Sequence, residues 1–192
     1  TVTLPRDGWR KLDAKIKATE TAADAELAIM PEAAGRYAFD MVSLFPKDTY
    51  KGRRNGLRRD LAEAIANLKP RFVRFPGGCV AHGNGIQNIY RWKNTVGPLE
   101  SRKGMANIWR YHQSVGLGFY EYFQFCEDMG AEPLPVLAAG VPCQNSSWGG
   151  DGQQGGIPLG KEMDEYIQDV LDLIEWANGD KTTKWGRVRA EA

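Results

Sequence analysis

From residue 53 onward, helical apolar stripes alternate with two short apolar runs, and this alternation constrains the fold more than any other feature. Leu57, Leu61, Ala64, Ile65 and Leu68 recur at helical spacing until Pro70, whose ring and missing N–H end a helix. Residues 71–75 follow as a short apolar strand that runs into Pro76-Gly77-Gly78. Phe119, Tyr122, Phe123 and Cys126 set a second stripe over 117–129, with Gly130 placed to cap it in the left-handed conformation. Residues 133–140 read as another strand. The third stripe takes in Met163, Tyr166, Ile167, Val170, Leu171, Ile174 and Ala177, and Asn178-Gly179 closes it. Glu162, Asp164 and Glu165 lie in its first turn, where the helix dipole favours negative charge. Neither strand has a polar face, as expected of parallel strands covered on both sides or closed into a barrel. This order predicts an α/β architecture. A complete (β/α)8 barrel takes about 250 residues, so residues 47–192 are expected to form the N-terminal part of one, a partial TIM barrel.

Residues 1–46 have a different texture. Leu12, Ala14, Ile16 and Ala18 alternate with polar residues, as do Ala25, Leu27 and Ile29, and then Tyr37, Phe39 and Met41. Period two marks half-buried strands. Three short strands make no robust domain alone, so this segment is expected to be the end of a larger β-sandwich.

Lys plus Arg is 25 against 24 Asp plus Glu, so no overall field draws nucleic acid or an anionic membrane. The local run Lys51, Arg53, Arg54, Arg58 and Arg59 has no interleaved aromatics and reads as a solvated helix face. No apolar stretch approaches the roughly 20 residues of a membrane span. The start at Thr1 is read as a processing boundary, with any secretion signal lost upstream. Cys79, Cys126 and Cys143 show no CxxC or histidine-containing metal spacing. Cys126 falls on an apolar helix stripe and reads as a core residue. The redox compartment stays open.

In parallel barrels, chemistry gathers at the carboxyl ends of the strands. There the first strand offers Arg74, with five donors for sugar hydroxyls or a carboxylate. Gly77 and Gly78 permit a sharp turn and close approach of a ligand. The competing reading makes Arg74 half of a buried ion pair, and both readings stay open at this point. Trp109 has two readings as well, a sugar-stacking face or an inward loop anchor. Trp92 reads as packing. Asn145 and Trp148, in the Gly-rich loop after the second strand, face the same mouth or form a lid without contact. His82 lies near Cys79 in sequence, but a Cys-His pair is the weaker reading.

The run Leu68-Lys69-Pro70-Arg71-Phe72-Val73-Arg74-Phe75-Pro76-Gly77-Gly78 resembles the second-strand motif of glycoside hydrolase family 51 α-L-arabinofuranosidases. Similarity continues in order through Tyr90-Arg91-Trp92-Lys93-Asn94, Val96-Gly97-Pro98, Asn107-Ile108-Trp109, Gly116-Leu117-Gly118, Glu121-Tyr122 and Gly130-Ala131-Glu132-Pro133. The resemblance implies a (β/α)8 barrel, with the preceding strands belonging to a carbohydrate-binding-like β-sandwich. It implies retaining release of terminal α-L-arabinofuranosyl groups from plant polysaccharides, without metal or cofactor. Retention needs two carboxyl groups roughly 5–5.5 Å apart. The family's acid/base Glu follows an Asn at the end of the fourth strand, and its nucleophile lies on a later strand. No Asn-Glu pair occurs in this chain, so no catalytic residue is expected within it and the chain alone is expected to be inactive.

The resemblance carries over binding residues only. Arg74 matches an arginine that shapes the glycone pocket, and Cys79 stands where many members have an arabinose-binding Asn. Trp109 matches the aromatic beside the leaving-group subsite. The expected partner is an arabinose-containing oligo- or polysaccharide, outside the cytoplasm, with self-association or pairing with the rest of the barrel. Endo-acting glucanase activity in the same family, and a non-catalytic carbohydrate-binding unit, are the alternatives.

Overall fold

The computed structural model describes residues 8–54, 56–143, 146 and 155–192. The chain divides into two compact units, Thr1–Ala38 and Phe39–Ala192.

In the first unit the described residues are all exposed and form no helix or strand. A turn is held where the Tyr37 hydroxyl donates to the Ala33 carbonyl, 2.8 Å away. The strands expected at 12–18, 25–29 and 37–41 are therefore not formed among the described residues. Alternation supplies the two faces of a strand but not its hydrogen-bonding neighbour, and none of the described residues supplies one.

The second unit is α/β. A 3₁₀ turn (Tyr50–Gly52) precedes helix α1 (Arg59–Asn67), strand β1 (Phe72–Phe75) and the short helix α2 (Gly78–His82). Further 3₁₀ turns lead to a small hairpin, β2 (Met105–Ala106) with β3 (His112–Gln113), and then to helix α3 (Phe119–Met129). Strand β4 (Glu132–Pro135) and helices α4 (Lys161–Asn178) and α5 (Lys184–Ala190) complete it. Strands β1 and β4 pair in parallel, with Phe72 opposite Glu132 and Phe75 opposite Pro135.

Local chemistry fixes α3. Gly130 adopts φ 69°, the left-handed cap, and its N–H reaches the carbonyls of Cys126 and Glu127. Glu132 then donates to the Arg71 carbonyl at 2.9 Å, so the cap delivers the chain straight into the ladder. At the other end, Gly118 is demanded by proximity. A Cβ there would lie 2.0 Å from the Thr95 carbonyl oxygen, far inside contact distance. That close approach lets Thr95 Oγ1 accept the Phe119 N–H at 3.1 Å.

The core lies between the β1 face carrying Val73 and Phe75 and helices α3 and α4. Phe75 stacks on Tyr122 at 4.6 Å and meets Phe119 edge-on at 5.4 Å. Trp92 is 0% exposed and packs against Trp176 and Trp185, which settles it as a packing residue. Cys126 is buried in the same cluster, as expected. Each such side chain contributes about 1.5–3 kcal/mol through burial.

The Tyr90-Arg91-Trp92-Lys93 motif fastens the long loop to α4. Arg91 and Lys93 both pair with Asp169, Lys93 also pairs with Asp172, and Trp92 Nε1 donates to the Asp169 carbonyl at 2.9 Å. The inward face of α4 is only partly its apolar stripe. Asp169, Leu173 and Trp176 face inward, whereas Ile167, Val170, Leu171 and Ile174 stay exposed. The basic run is likewise held by carboxylates: Arg53 by Asp128, Arg58 by Asp60 and Arg59 by Asp48. Lys51 belongs to the 3₁₀ turn and Arg59 opens α1, so the run is not one helix face.

Candidate functional site

Both parallel strands end at the same rim. Residues on β1 alternate sides, so Val73 and Phe75 point to α3 while Phe72 and Arg74 take the opposite face. Their register partners Glu132 and Leu134 are exposed with them. Phe72 is 58% exposed against 2% for Phe75. Three residues apart on a strand, the two phenylalanines point to opposite faces.

Arg74 is exposed and has no salt-bridge partner among the described residues. Its guanidinium lies over the following turn, where a Cβ on Gly77 or Gly78 would meet Nη1 at 3.7 Å or Nη2 at 3.9 Å. Gly77 itself has φ 107°, a conformation costly for any side-chain-bearing residue. The buried ion-pair reading of Arg74 therefore gives way to a cation displayed on the open sheet face, cushioned on a glycine turn.

The segments after the two strands are joined. Val136 donates to the Phe75 carbonyl at 2.7 Å, and Cys143 donates to Gly83 at 3.2 Å. His82 Nδ1 lies 2.5 Å from the Val141 carbonyl oxygen and donates to it. That bond gives His82 a positioning role rather than a partnership with Cys79. The strand expected over 133–140 is shorter, ending at Pro135; its remaining residues cross the rim as this loop. The Cys79 thiol meets that of Cys143, and this contact, followed by burial, pushes the Cys79 pKa above its usual range.

The hairpin carrying Trp109 is tied to the same turn region. Asn88 accepts the Asn84 N–H through Oδ1 at 2.9 Å and donates to the Ala106 carbonyl at 2.9 Å. Within the hairpin, Asn107 Oδ1 accepts the N–H groups of Trp109 and Tyr111. Trp109 is 51% exposed, so it is not an inward anchor. A cavity of about 440 Å³ opens here, lined by Asn84, Asn107, Arg110, Tyr111 and His112 among others. The hollow beside Tyr50 and Phe125, about 10 Å³, has room for little more than one water. Asn145 and Trp148 lie outside the described residues. No cluster of metal-binding side chains occurs among the described residues.

The carboxyl end of β1 thus displays a guanidinium over a glycine turn, and the hairpin tied to Asn88 carries an exposed indole. The model of the α-L-arabinofuranosidase 1 domain matches residues 64–192. The chain belongs to the family 51 α-L-arabinofuranosidases. It is 49% identical to the extracellular exo-α-L-arabinofuranosidase of Streptomyces chartreusis, over 96% of this chain and 22% of that protein. It is 39% identical to α-L-arabinofuranosidase 1 of Arabidopsis thaliana, over 95% of this chain and 25% of that one. The arabinose-bound MgGH51 α-L-arabinofuranosidase superposes with TM-score 0.63 at 37% identity, covering 74% of this chain and 21% of that one. An arabinofuranosidase–arabinose complex from Thermotoga maritima, at 22% identity and TM-score 0.51 over 71% of this chain and 23% of that one, shares the fold. The chain thus spans about a quarter of the length of the relatives it matches.

Sequence reasoning passed over several residues that organise this family 51 segment. Arg102 and Glu121 form a buried bidentate pair at 2.9 and 2.8 Å. Arg102 also donates to the carbonyls of Gly97, Val115 and Gly116, while Glu121 caps the Gly118 N–H. The signal was available: a Glu three residues after a helix-entry glycine is half of a capping box. Cys143 left no comparable local signature, because its partners are distant in sequence, and Asn88 likewise reaches eighteen residues on to Ala106.

Proposed function

We propose that a protein of its relatives' length carrying this segment is a retaining glycoside hydrolase that releases terminal α-L-arabinofuranosyl groups from arabinose-containing plant polysaccharides. The carrying observation is the placement of Arg74 and the Gly77-Gly78 turn at the carboxyl end of a parallel strand, on the face away from α3. In a closed barrel that face is the interior, and the rim is where substrates bind. On this reading residues 47–192 form the early part of the (β/α)8 barrel, and residues 1–46 end a β-sandwich module. Arg74 binds the sugar in the glycone pocket, Cys79 and Asn145 line it, and Trp109 stacks at the leaving-group side. The acid/base and nucleophile carboxylates come from polypeptide beyond these residues, and an extracytoplasmic location follows from the polymeric substrate.

Two assays test the reading. The 192-residue chain should bind arabino-oligosaccharides saturably, more weakly after Trp109→Ala or Arg74→Ala, without releasing product from an aryl α-L-arabinofuranoside. Turnover by this chain would show that its acids lie within it. Unchanged binding in both variants would remove the proposed pocket.

A further inference from the structure

Cys79 sits in the first turn of α2, and its carbonyl accepts the Gly83 N–H at 3.0 Å. Cys143 lies in the loop after β4, and its N–H reaches the Gly83 carbonyl at 3.2 Å. His82 and Val141 form a second tie between the two segments. These ties set the two segments side by side, and the Cys79 thiol meets that of Cys143. Neither is in a disulfide. Cys79 is partly exposed, whereas Cys143 is 1% exposed. Cys126 belongs to the hydrophobic core instead.

We propose that Cys79 and Cys143 are a dithiol–disulfide pair that a small-molecule disulfide oxidises, fastening the loop after β4 to the first turn of α2. The inference does not rest on the glycosidase reading. The exposure difference assigns the order of events. Deprotonated Cys79 attacks one sulfur of the external disulfide, forming a mixed disulfide and expelling one thiolate. Deprotonated Cys143 then attacks the Cys79 sulfur, forming the internal S–S bond and expelling the second thiolate. The two protons lost by the cysteines end on the two small thiols, and the external disulfide takes up both electrons. Because contact with Cys143 and burial raise the Cys79 pKa, the thiolate is scarce at neutral pH and the reaction accelerates as pH rises.

The test uses the reduced 192-residue chain under native conditions with oxidised glutathione, followed by intact mass and non-reducing peptide mapping. The expected product has lost two hydrogens, carries no glutathione, links Cys79 to Cys143 and leaves Cys126 as a thiol. Cys143→Ser should accumulate glutathione on Cys79, whereas Cys79→Ser should leave Cys143 unmodified. Wild-type protein that stops at a stable glutathione adduct, links through Cys126 or keeps all three thiols would overturn the proposal. The wild-type map decides even if a variant fails to fold.

Discussion

Replacing Glu121 with alanine should cost the chain about 3–5 kcal/mol, the range for removing one partner of a buried ion pair. Three bonds are lost together: two from Arg102, at 2.9 and 2.8 Å, and the Gly118 N–H at 2.8 Å. The Arg102 side chain, 4% exposed, then remains as a charge without its carboxylate. Its bonds to the carbonyls of Gly97, Val115 and Gly116 persist, which argues for the lower half of the range. Against a total domain stability of about 5–15 kcal/mol, the loss is large. Urea titration read by the buried Trp92 and Trp176 fluorescence measures it. The double variant Arg102→Leu/Glu121→Leu should recover much of the loss, because two apolar side chains leave no orphan charge. A cost for Glu121→Ala below about 1 kcal/mol, the size of an ordinary substitution, would refute the assigned role.

Trp92→Ala should destabilise the chain by about 3–5 kcal/mol; the exposed Trp109→Ala should change stability by no more than about 0.5 kcal/mol, and the same titration checks both. Gly118→Ala, whose Cβ would lie 2.0 Å from the Thr95 oxygen, should lower the thermal midpoint by an amount equivalent to at least about 1–3 kcal/mol. Burial alone would raise the Asp172 pKa, but hydrogen bonds from Lys93 and Gln168 bring it below its ordinary 3.8. A depressed carboxylate contributes stability above the unfolded-state pKa and loses it as pH falls through the folded-state value. Asp172→Asn should therefore flatten the acid limb of a melting series between about pH 5 and pH 3.

The three long helices could be read in sequence because each carries both a stripe and an end signal: Pro70 after α1, Gly130 after α3, and Asn178-Gly179 at the end of α4. Strand β1 was equally plain, bounded by Pro70 and Gly77. What sequence could not supply was distance information. The ties of Arg91 and Lys93 to Asp169 join segments that lie far apart in the chain. The alternating residues before Ala38 have a strand's pattern without a ladder partner. Helix α5 has few apolar positions and is set by its Thr183 cap, which accepts the Gly186 N–H. Arg74 and Trp109, both exposed, were singled out from residue type and resemblance. The Cys79–Cys143 meeting was not, because it depends on two loops crossing at one rim.

That crossing is stitched largely by main-chain groups, Val136 to Phe75 and Cys143 to Gly83. Peptide bonds are indifferent to which side chains hang from them. Along residues 136–143, however, Ala138, Gly140, Pro142 and Cys143 are buried and Gly140 holds φ 74°, which leaves Ala139 as the exposed position. A library confined to Ala139 should therefore return far more folded members than one randomised at Gly140, Pro142 and Cys143.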